Sequence, residues 1–536
     1  MSTRRRLIAG AALAAPALAA PWIARPRAAR AATPRDVIVA GRRIDDLVSL
    51  DPHEAFEFSS GEVVTSLYQK LVRPGLHVPA EIEGDLAERW EIAPDAKRVT
   101  FHLRGDARFA SGNPVTAEDA AFSLQRIVRL DKAPASIVGQ FGYTRDGVAE
   151  QIRATGPRTL EVAIPGGQAP SFLLNCLTAN VACIVERAAV MAHDSGGDLG
   201  NAWLRQNGAG SGPWVLRAWR PGEAVTMDAN PHSPAPPRTR RLILRHVPDP
   251  SAQLLQLRAG DLDVARSLGA DQLRGLAGQP GYELPARSRL RLLYLGLNQR
   301  HPVLSRPPVW QAVKWAIDYA GIQANVAPAT LLVWQSFLPR GMPGALDERP
   351  FRQDVARARA LLAEAGVPDG FEVSLDHVAE APYSDIAQAV QANLAAIGVR
   401  ARLIAGDERQ VLGKMRARQH EAVMARWGSD YVDPHANAYT FAMNADNSDA
   451  ARSRTLAWRN AWEIPDLTAR TAAAAREADP TRRRAAYEAL QREHQQASPF
   501  AVMFQEVEIA AVRPGVHGFH LGAASERTSY AEVVKG

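Results

Sequence analysis

Asp85-Leu-Ala-Glu-Arg-Trp90, Arg98-Val-Thr-Phe-His-Leu-Arg104 and Gly112-Asn-Pro-Val-Thr-Ala-Glu-Asp119, running into Phe122-Ser-Leu124 and Arg126, form the stretch on which the fold turns. Alternation in 98–104 puts Val99, Phe101 and Leu103 on one face, the pattern of a half-buried strand. Gly112-Asn-Pro114 then breaks the chain. Thr116 followed by Asp119 has capping-box spacing: the threonine hydroxyl accepts an orphan helical N–H while the acid reaches back to the cap. The helix so opened carries Phe122, Leu124, Ile127 and Val128.

The same signals recur outward from this point. Asp249-Pro250 starts a short helix through Leu254, Leu255 and Leu257 that stops at Gly260. Asp354 caps a helix with Val355, Ala358, Leu361, Leu362 and Ala365 on one face and Gly366 as its stop. A strand over 371–375, a helix over 387–397 and a strand over 399–404 follow, and Asp479-Pro480 begins a late helix before a strand-like run over 500–511. Helices alternating with strands make this an α/β protein.

The chain has 536 residues, 46% hydrophobic and 22% charged, enough apolar sequence for several cores. Its formal charge of +6 is local. Arg4, Arg5, Arg6, Arg25, Arg27 and Arg30 lie in residues 1–31, which hold no acid, so the rest of the chain is neutral. A neutral body argues against nucleic-acid binding, which needs a row of uncompensated cations. The first residues read as an export signal: a basic start, an Ala- and Leu-rich run interrupted by Pro16 and Pro21, and a small-residue cleavage pattern at Ala29-Arg30-Ala31. Thr3-Arg-Arg-Arg-Leu-Ile8 resembles a twin-arginine consensus. The two cysteines, Cys176 and Cys183, rule out a four-cysteine metal site; they either close a small disulfide loop or stay as two buried thiols.

Taken in order, these segments resemble the family-5 extracellular solute-binding proteins of bacterial ABC importers, the branch with dipeptide-, oligopeptide- and nickel-binding members. The 85–126 stretch is the most specific part. Gly210-Ser-Gly-Pro-Trp214, Leu257-Arg-Ala-Gly-Asp-Leu-Asp263, Leu297-Asn298, Ala312 to Asp318, Leu338-Pro339 and Trp427-Gly-Ser-Asp-Tyr-Val-Asp-Pro434 support it. The resemblance implies a two-lobed periplasmic-binding-protein clamshell of type II with an extra N-terminal subdomain. By analogy, after the signal at 1–31, the first lobe takes 32–58 and 206–288, the extra subdomain 59–205, the second lobe 289–500, and the return to the first lobe 501–536. It also implies capture of a peptide or peptide-like solute, delivery to a permease and its ATPase at the inner membrane, a periplasmic location, and a monomer without a cofactor.

In peptide-binding members an Asp of the Trp-x-x-Asp segment holds the ligand's α-amino group, which points to Asp430, with Trp427 and Tyr431 as rigid walls. An α-amine is largely cationic at neutral pH, so a carboxylate in a desolvated cleft makes a charge-assisted hydrogen bond. Asp433 reads as the cap of the next helix. The Asp51-Pro-His-Glu-Ala-Phe-Glu-Phe-Ser-Ser60 segment resembles the family's first ligand-facing loop, making Phe58 and Ser59 candidates, with a core role for Phe56 and Phe58 as the other reading. Some oligopeptide binders carry an arginine six residues before the anchoring Asp. Met424 stands there instead, with Arg426 two residues on and on the same strand face. Trp334, Trp458 and Trp462 are core residues or further cleft wall.

An exported enzyme is the main rival reading. Against it, the sequence has no Gly-x-x-x-x-Gly-Lys-Ser/Thr, His-Glu-x-x-His or Gly-x-Ser-x-Gly, and Gly208 to Gly212 precedes a strand where a dinucleotide fingerprint follows one. A ligand-sensing receptor on the same clamshell and a nickel-chelate binder remain as alternatives of the same fold, although His53, His77, His102, His193 and His246 are scattered. Cleavage near Ala31 is the direct expectation from the N-terminus. Intact-mass measurement of exported protein should show residues 1–31 gone, and their retention would reject the signal.

Overall fold

Two six-stranded sheets organise the chain. The computed structural model describes residues 33–536 apart from 76, 77, 79 and 524–526; the export signal expected at 1–31 lies outside the described residues. The first sheet runs in the order Ala511–Val512, Val264–Ala265, Val37–Arg42, Arg241–His246, Ala224–Ala229, Trp214–Arg220. The second runs Leu331–Val333, Phe500–Ile509, Ala286–Leu297, Ala422–Gly428, Glu372–Val378, Arg400–Gly406. A smaller four-stranded sheet, Ala87–Ile92, Arg98–Leu103, Thr159–Ala163 and Ile152–Gly156, forms the extra subdomain with the Ala117–Leu130 helix.

The opening stretch folds as its pattern dictates. Val99, Phe101 and Leu103 are buried. Thr116 accepts from the Asp119 N–H at 3.2 Å while Asp119 accepts from the Thr116 N–H at 3.1 Å, completing the capping box. Asp249, Asp354 and Asp479 each accept a backbone N–H three residues on, capping Pro250–Ala259, Val355–Glu364 and Pro480–Ala497. The helix read at 387–397 spans Tyr383–Ala395, and the strands beside it span Glu372–Val378 and Arg400–Gly406.

The run over 500–511 is two strands, not one. Phe500–Ile509 pairs with Ala286–Leu297 and Leu331–Val333 in the second sheet, whereas Ala511–Val512 pairs with Val264–Ala265 in the first. The chain therefore rejoins the first sheet at 511, later than the 501 expected by analogy. The subdomain core likewise gathers residues from Leu71 to Ile184, while Val63, Val64, Leu67 and Tyr68 before it and Val185, Val190 and Leu204 after it pack in the core of the first sheet. That range is narrower than 59–205. Cys176 sits in the subdomain core and Cys183 in that of the first sheet; both are buried thiols outside any disulfide, so of the two readings of the pair the unbridged one holds.

One buried cation stands apart in the second lobe. Lys314, 2% exposed, donates from Nζ to the Gln495 carbonyl at 2.7 Å and lies 5.4 Å from the Phe351 ring centre. Burial pushes its pKa down to about 7. Between about pH 7 and the ordinary value of 10.5 the folded lysine binds fewer protons than the unfolded one, so raising pH in that window favours the fold. Below about pH 7 both are protonated and the contribution is at its lowest. Wild-type stability relative to Lys314→Met should climb from pH 7 to pH 9.5 by up to about 1.4 kcal/mol per unit. Urea titrations at the two pH values check this, and a constant gap would refute it.

Candidate functional site

The cleft between the two sheets is built from three pieces. On the first-lobe side is the loop ending in Phe58, whose course is set by a buried ion pair. Arg126 Nη1 and Nη2 donate to Asp51 Oδ1 and Oδ2 at 2.8 and 2.6 Å, with both side chains fully buried. Asn201 and the His53 N–H complete the carboxylate's partners. Burial opposes the charge on Asp51, yet the Arg126 hydrogen bonds and charge hold its carboxyl below the ordinary value. His53 bridges Arg126 Nη1 at 2.7 Å and the Cys183 carbonyl at 3.1 Å; burial pushes its pKa down to about 4, so Nδ1 accepts from the guanidinium and Nε2–H donates to the carbonyl.

The second-lobe wall is the Ala422–Gly428 strand and the loop after it; the floor is the start of the Ala286–Leu297 strand. These strands are antiparallel neighbours with Arg291 opposite Gly428, and the Ser429 N–H donates to the Leu290 carbonyl at 2.9 Å. Together they leave about 730 Å³ free of protein atoms and continuous with solvent, lined among others by Glu57, Phe58, Asn180, Arg289, Arg291 and Asp430.

Phe58 spans the gap. Its ring lies 3.8 Å under the Arg291 guanidinium, and a Cβ placed on Gly428 would come within 2.7 Å of the Phe58 ring edge. Glycine at 428 is what lets the first-lobe ring seat against the second-lobe strand. Of the residues singled out in the sequence, Phe58 and Asp430 line the cleft, as does Phe56, which is 41% exposed and not a core residue.

The others do not line it, each for a structural reason. Ser59, 4% exposed, donates from Oγ to the Arg43 carbonyl and from N to Asp46 Oδ2, turned into its own lobe. Trp427 is opposite Leu292 and packs on the second-lobe core, out of phase with Gly428. Tyr431 is buried against Phe172, 6.0 Å between rings, with Gln140 donating to its hydroxyl. Arg426 is paired with Glu408 at 2.7 Å and donates to the Tyr383 hydroxyl at 3.1 Å; burial works against its charge, but Tyr383, Glu408 and Glu506 hold its pKa above the ordinary value. Met424 is 1% exposed in the core, as are Trp334 and Trp462; Trp458 is buried too. Asp433 caps Pro434–Ala442, as its position predicts, and is gripped by Arg483 at 2.7 and 3.0 Å.

Arg289 and Arg291 were missed by sequence reasoning. A signal was present: arginines at 287, 289 and 291 alternate with Leu290 and Leu292, marking one polar face on an otherwise apolar strand. Arg291 donates to Glu506 Oε2 at 2.9 Å, and Arg289 reaches Glu508 at 3.4 Å and the Gly522 carbonyl. Glu508 is also held by Arg266, which itself grips Glu62 at 3.1 Å. Burial would raise the Glu508 carboxyl, but Arg266, Arg289 and Arg42 keep it below the usual carboxylate range.

Away from the cleft mouth the lobes also touch. Phe172 meets His435 edge-on at 5.0 Å, Asn175 donates to Asp433 at 3.0 Å, and Arg43 pairs with Glu380. The lobes are closed on each other. A cleft with fixed cations and carboxylates and an aromatic bridge is suited to enclosing a polar solute. Among the described residues no group of three or more His, Cys, Asp or Glu is placed to hold a metal ion.

Comparisons with known proteins agree with this architecture. The family described as bacterial extracellular solute-binding proteins, family 5, matches residues 81–449. The probable D,D-dipeptide-binding periplasmic protein DdpA of Escherichia coli K12 is 28% identical over 414 residues, 76% of this chain and 77% of its own length. The glutathione-binding protein GsiB of Salmonella typhimurium is 26% identical, covering 71% of each chain. Among solved structures, the ABC transporter-associated periplasmic binding protein DppA from Helicobacter pylori, in complex with the peptide STSA, superposes with a TM-score of 0.80 at 22% identity. That superposition covers 93% of this chain and 98% of the other and shows the same fold.

Gly428→Ala should push the Phe58 ring off its seat and weaken ligand capture at least tenfold while leaving the fold intact. Calorimetry with whatever solute the wild type retains, alongside thermal unfolding, checks this; unchanged affinity would remove Phe58 seating from the account of the cleft.

Proposed function

The chain belongs to the bacterial extracellular solute-binding proteins of family 5, and from that premise we propose that it captures a peptide or peptide-like solute between its lobes. It hands the solute to an ABC permease and its ATPase at the inner membrane. Of the relatives named above, one is a probable D,D-dipeptide-binding periplasmic protein and another a glutathione-binding protein, which supports this ligand class and location. We place the mature protein in the periplasm as a monomer, exported by the twin-arginine-type signal at 1–31, and acting by binding rather than catalysis. No described helix is long and apolar enough to cross a membrane.

The observation that carries the reading is the position of Asp430. It leaves the second-lobe strand at the cleft, two residues beyond Gly428 and the Phe58 ring. In this reading its carboxylate takes the α-amino group of the solute, and closure strips water from the pair. Burial makes the match selective, because a buried polar group left without a partner costs about 1–3 kcal/mol. A neutral or acylated amine would pay that cost.

Native mass spectrometry of protein purified from its own exported compartment should reveal a discrete adduct that is lost on denaturation and has the mass of a small peptide-like solute. A metal chelate in its place would overturn the ligand class. Asp430→Ala should then weaken binding of that amine-bearing solute at least tenfold, about 1.4 kcal/mol. Unchanged affinity by calorimetry would remove Asp430 from the site.

A further inference from the structure

The extra subdomain reaches past the first lobe and touches the second. Tyr431 and Ala436 of the second lobe pack inside the subdomain's own core, with Phe141 and Phe172. Phe172, on the short Pro170–Cys176 helix, lies 6.0 Å from the Tyr431 ring and meets His435 edge-on at 5.0 Å. One turn along, Asn175 donates to Asp433 Oδ2 at 3.0 Å. At the start of the same helix the Ala169 N–H donates to the Ala475 carbonyl at 3.4 Å, in the last turn of Pro465–Arg476, where carbonyls have no partner within the helix. We propose that this seam is the clasp of the cleft, with Phe172 and Asn175 as positioning residues that hold the lobes together over a captured solute. This role rests on capture between the lobes, as read above, and assigns the holding of the closed form to the subdomain.

Both halves of the seam run directly into the cleft walls. Tyr431 follows Asp430, and Ala179, Asn180 and Val181, which line the cleft, follow the Pro170–Cys176 helix. Ile137 lines it too, three residues before Gln140, which donates to the Tyr431 hydroxyl. A shift at the seam therefore moves the anchoring carboxylate and the wall facing it together. Asp433 gives the clasp its polar half. Its buried carboxylate takes Arg483 at 2.7 and 3.0 Å, the His435 N–H at 2.8 Å and Asn175. Asn175 is the partner that comes from the subdomain, so parting the lobes strips a donor from a buried charge, which costs more than losing a neutral hydrogen bond. Phe172 gives the apolar half, because parting wets its ring together with those of Tyr431 and His435. The contacts of the first lobe proper are of another kind. Phe58 lies inside the cleft, and the Arg43–Glu380 pair is partly exposed and screened by salt.

Amide hydrogen exchange on the mature full-length protein, as purified, reads the seam through the Ala169 N–H, whose bond crosses it. The expected result is a protected Ala169 amide in the wild type and about tenfold less protection in Asn175→Ala. Asn175→Asp, the same in shape but with a carboxylate facing Asp433, should lose more, a difference that packing alone would not produce. Amides of the Arg98–Leu103 strand, inside the subdomain, should exchange alike in all three proteins. An Ala169 amide that is unprotected in the wild type, or equally protected in all three, overturns the clasp. Stopped-flow binding of two- to four-residue peptides with free termini reads the consequence for retention. Dissociation from Asn175→Ala should be about tenfold faster, with association within about twofold of wild type. An unchanged dissociation rate overturns the assignment. If no peptide binds the wild type, the peptide reading fails, and the exchange result still decides the clasp.

Discussion

The cleft depends on one pair of strands passing between the lobes. Ala286–Leu297 and Phe500–Ile509 run antiparallel, with Ala286, Arg287 and Ser288 paired to Ile509, Glu508 and Val507 at the end nearest the first sheet. Just beyond, Glu283 bridges Val512, already in the first-lobe ladder. Two strands twist and flex where a wide sheet does not, so this ribbon is the hinge the fold offers. What keeps it in register is charge. Arg266 from the first lobe, Glu508 on the ribbon and Arg289 on the neighbouring strand form an alternating row anchored by Glu62 and Tyr530. Removing a single member would leave a buried charge uncompensated, a loss of about 3–5 kcal/mol.

The binding face follows from that ribbon. Arg289 and Arg291 sit where it enters the second sheet, and their register with Gly428 brings Asp430 to the same opening. The first lobe answers with Phe58, delivered by a loop whose path is locked by the Asp51–Arg126 pair. That pair ties the ligand-facing loop to the subdomain helix opened by the Thr116 capping box. The subdomain in turn meets the second lobe through Phe172 against Tyr431 and His435. Tyr431 therefore lies in the seam between subdomain and second lobe, packed on Phe172.

Much of the fold was legible because its signals are local. Alternation in 98–104, the Thr116–Asp119 box and the aspartates before Pro250 and Pro480 act over two to four residues. The strand-like run at 500–511 was legible as extended chain but not as two strands, because its composition does not change where it leaves one sheet for the other. At the site, Phe58 and Asp430 were legible through resemblance, and both reach the cleft. Trp427, Tyr431, Ser59 and Arg426 are neighbours in sequence of cleft residues whose side chains the strand phase or a buried partner turns elsewhere.

The sequence by itself determined an α/β class and a body with no charge surplus, because composition, periodicity and capping are properties of short segments, whereas solute binding was legible only through the family resemblance. Only the tertiary structure decided which cations line the cleft. Arg426 and Arg291 are both arginines on apolar strands. Arg426 is drawn off by Glu408 and Tyr383, from segments before it in the chain, whereas Arg291 is held under Phe58 by Glu506 from a segment more than two hundred residues away. Such partners meet only when the ribbon closes the long loop between them, and no local pattern encodes that meeting.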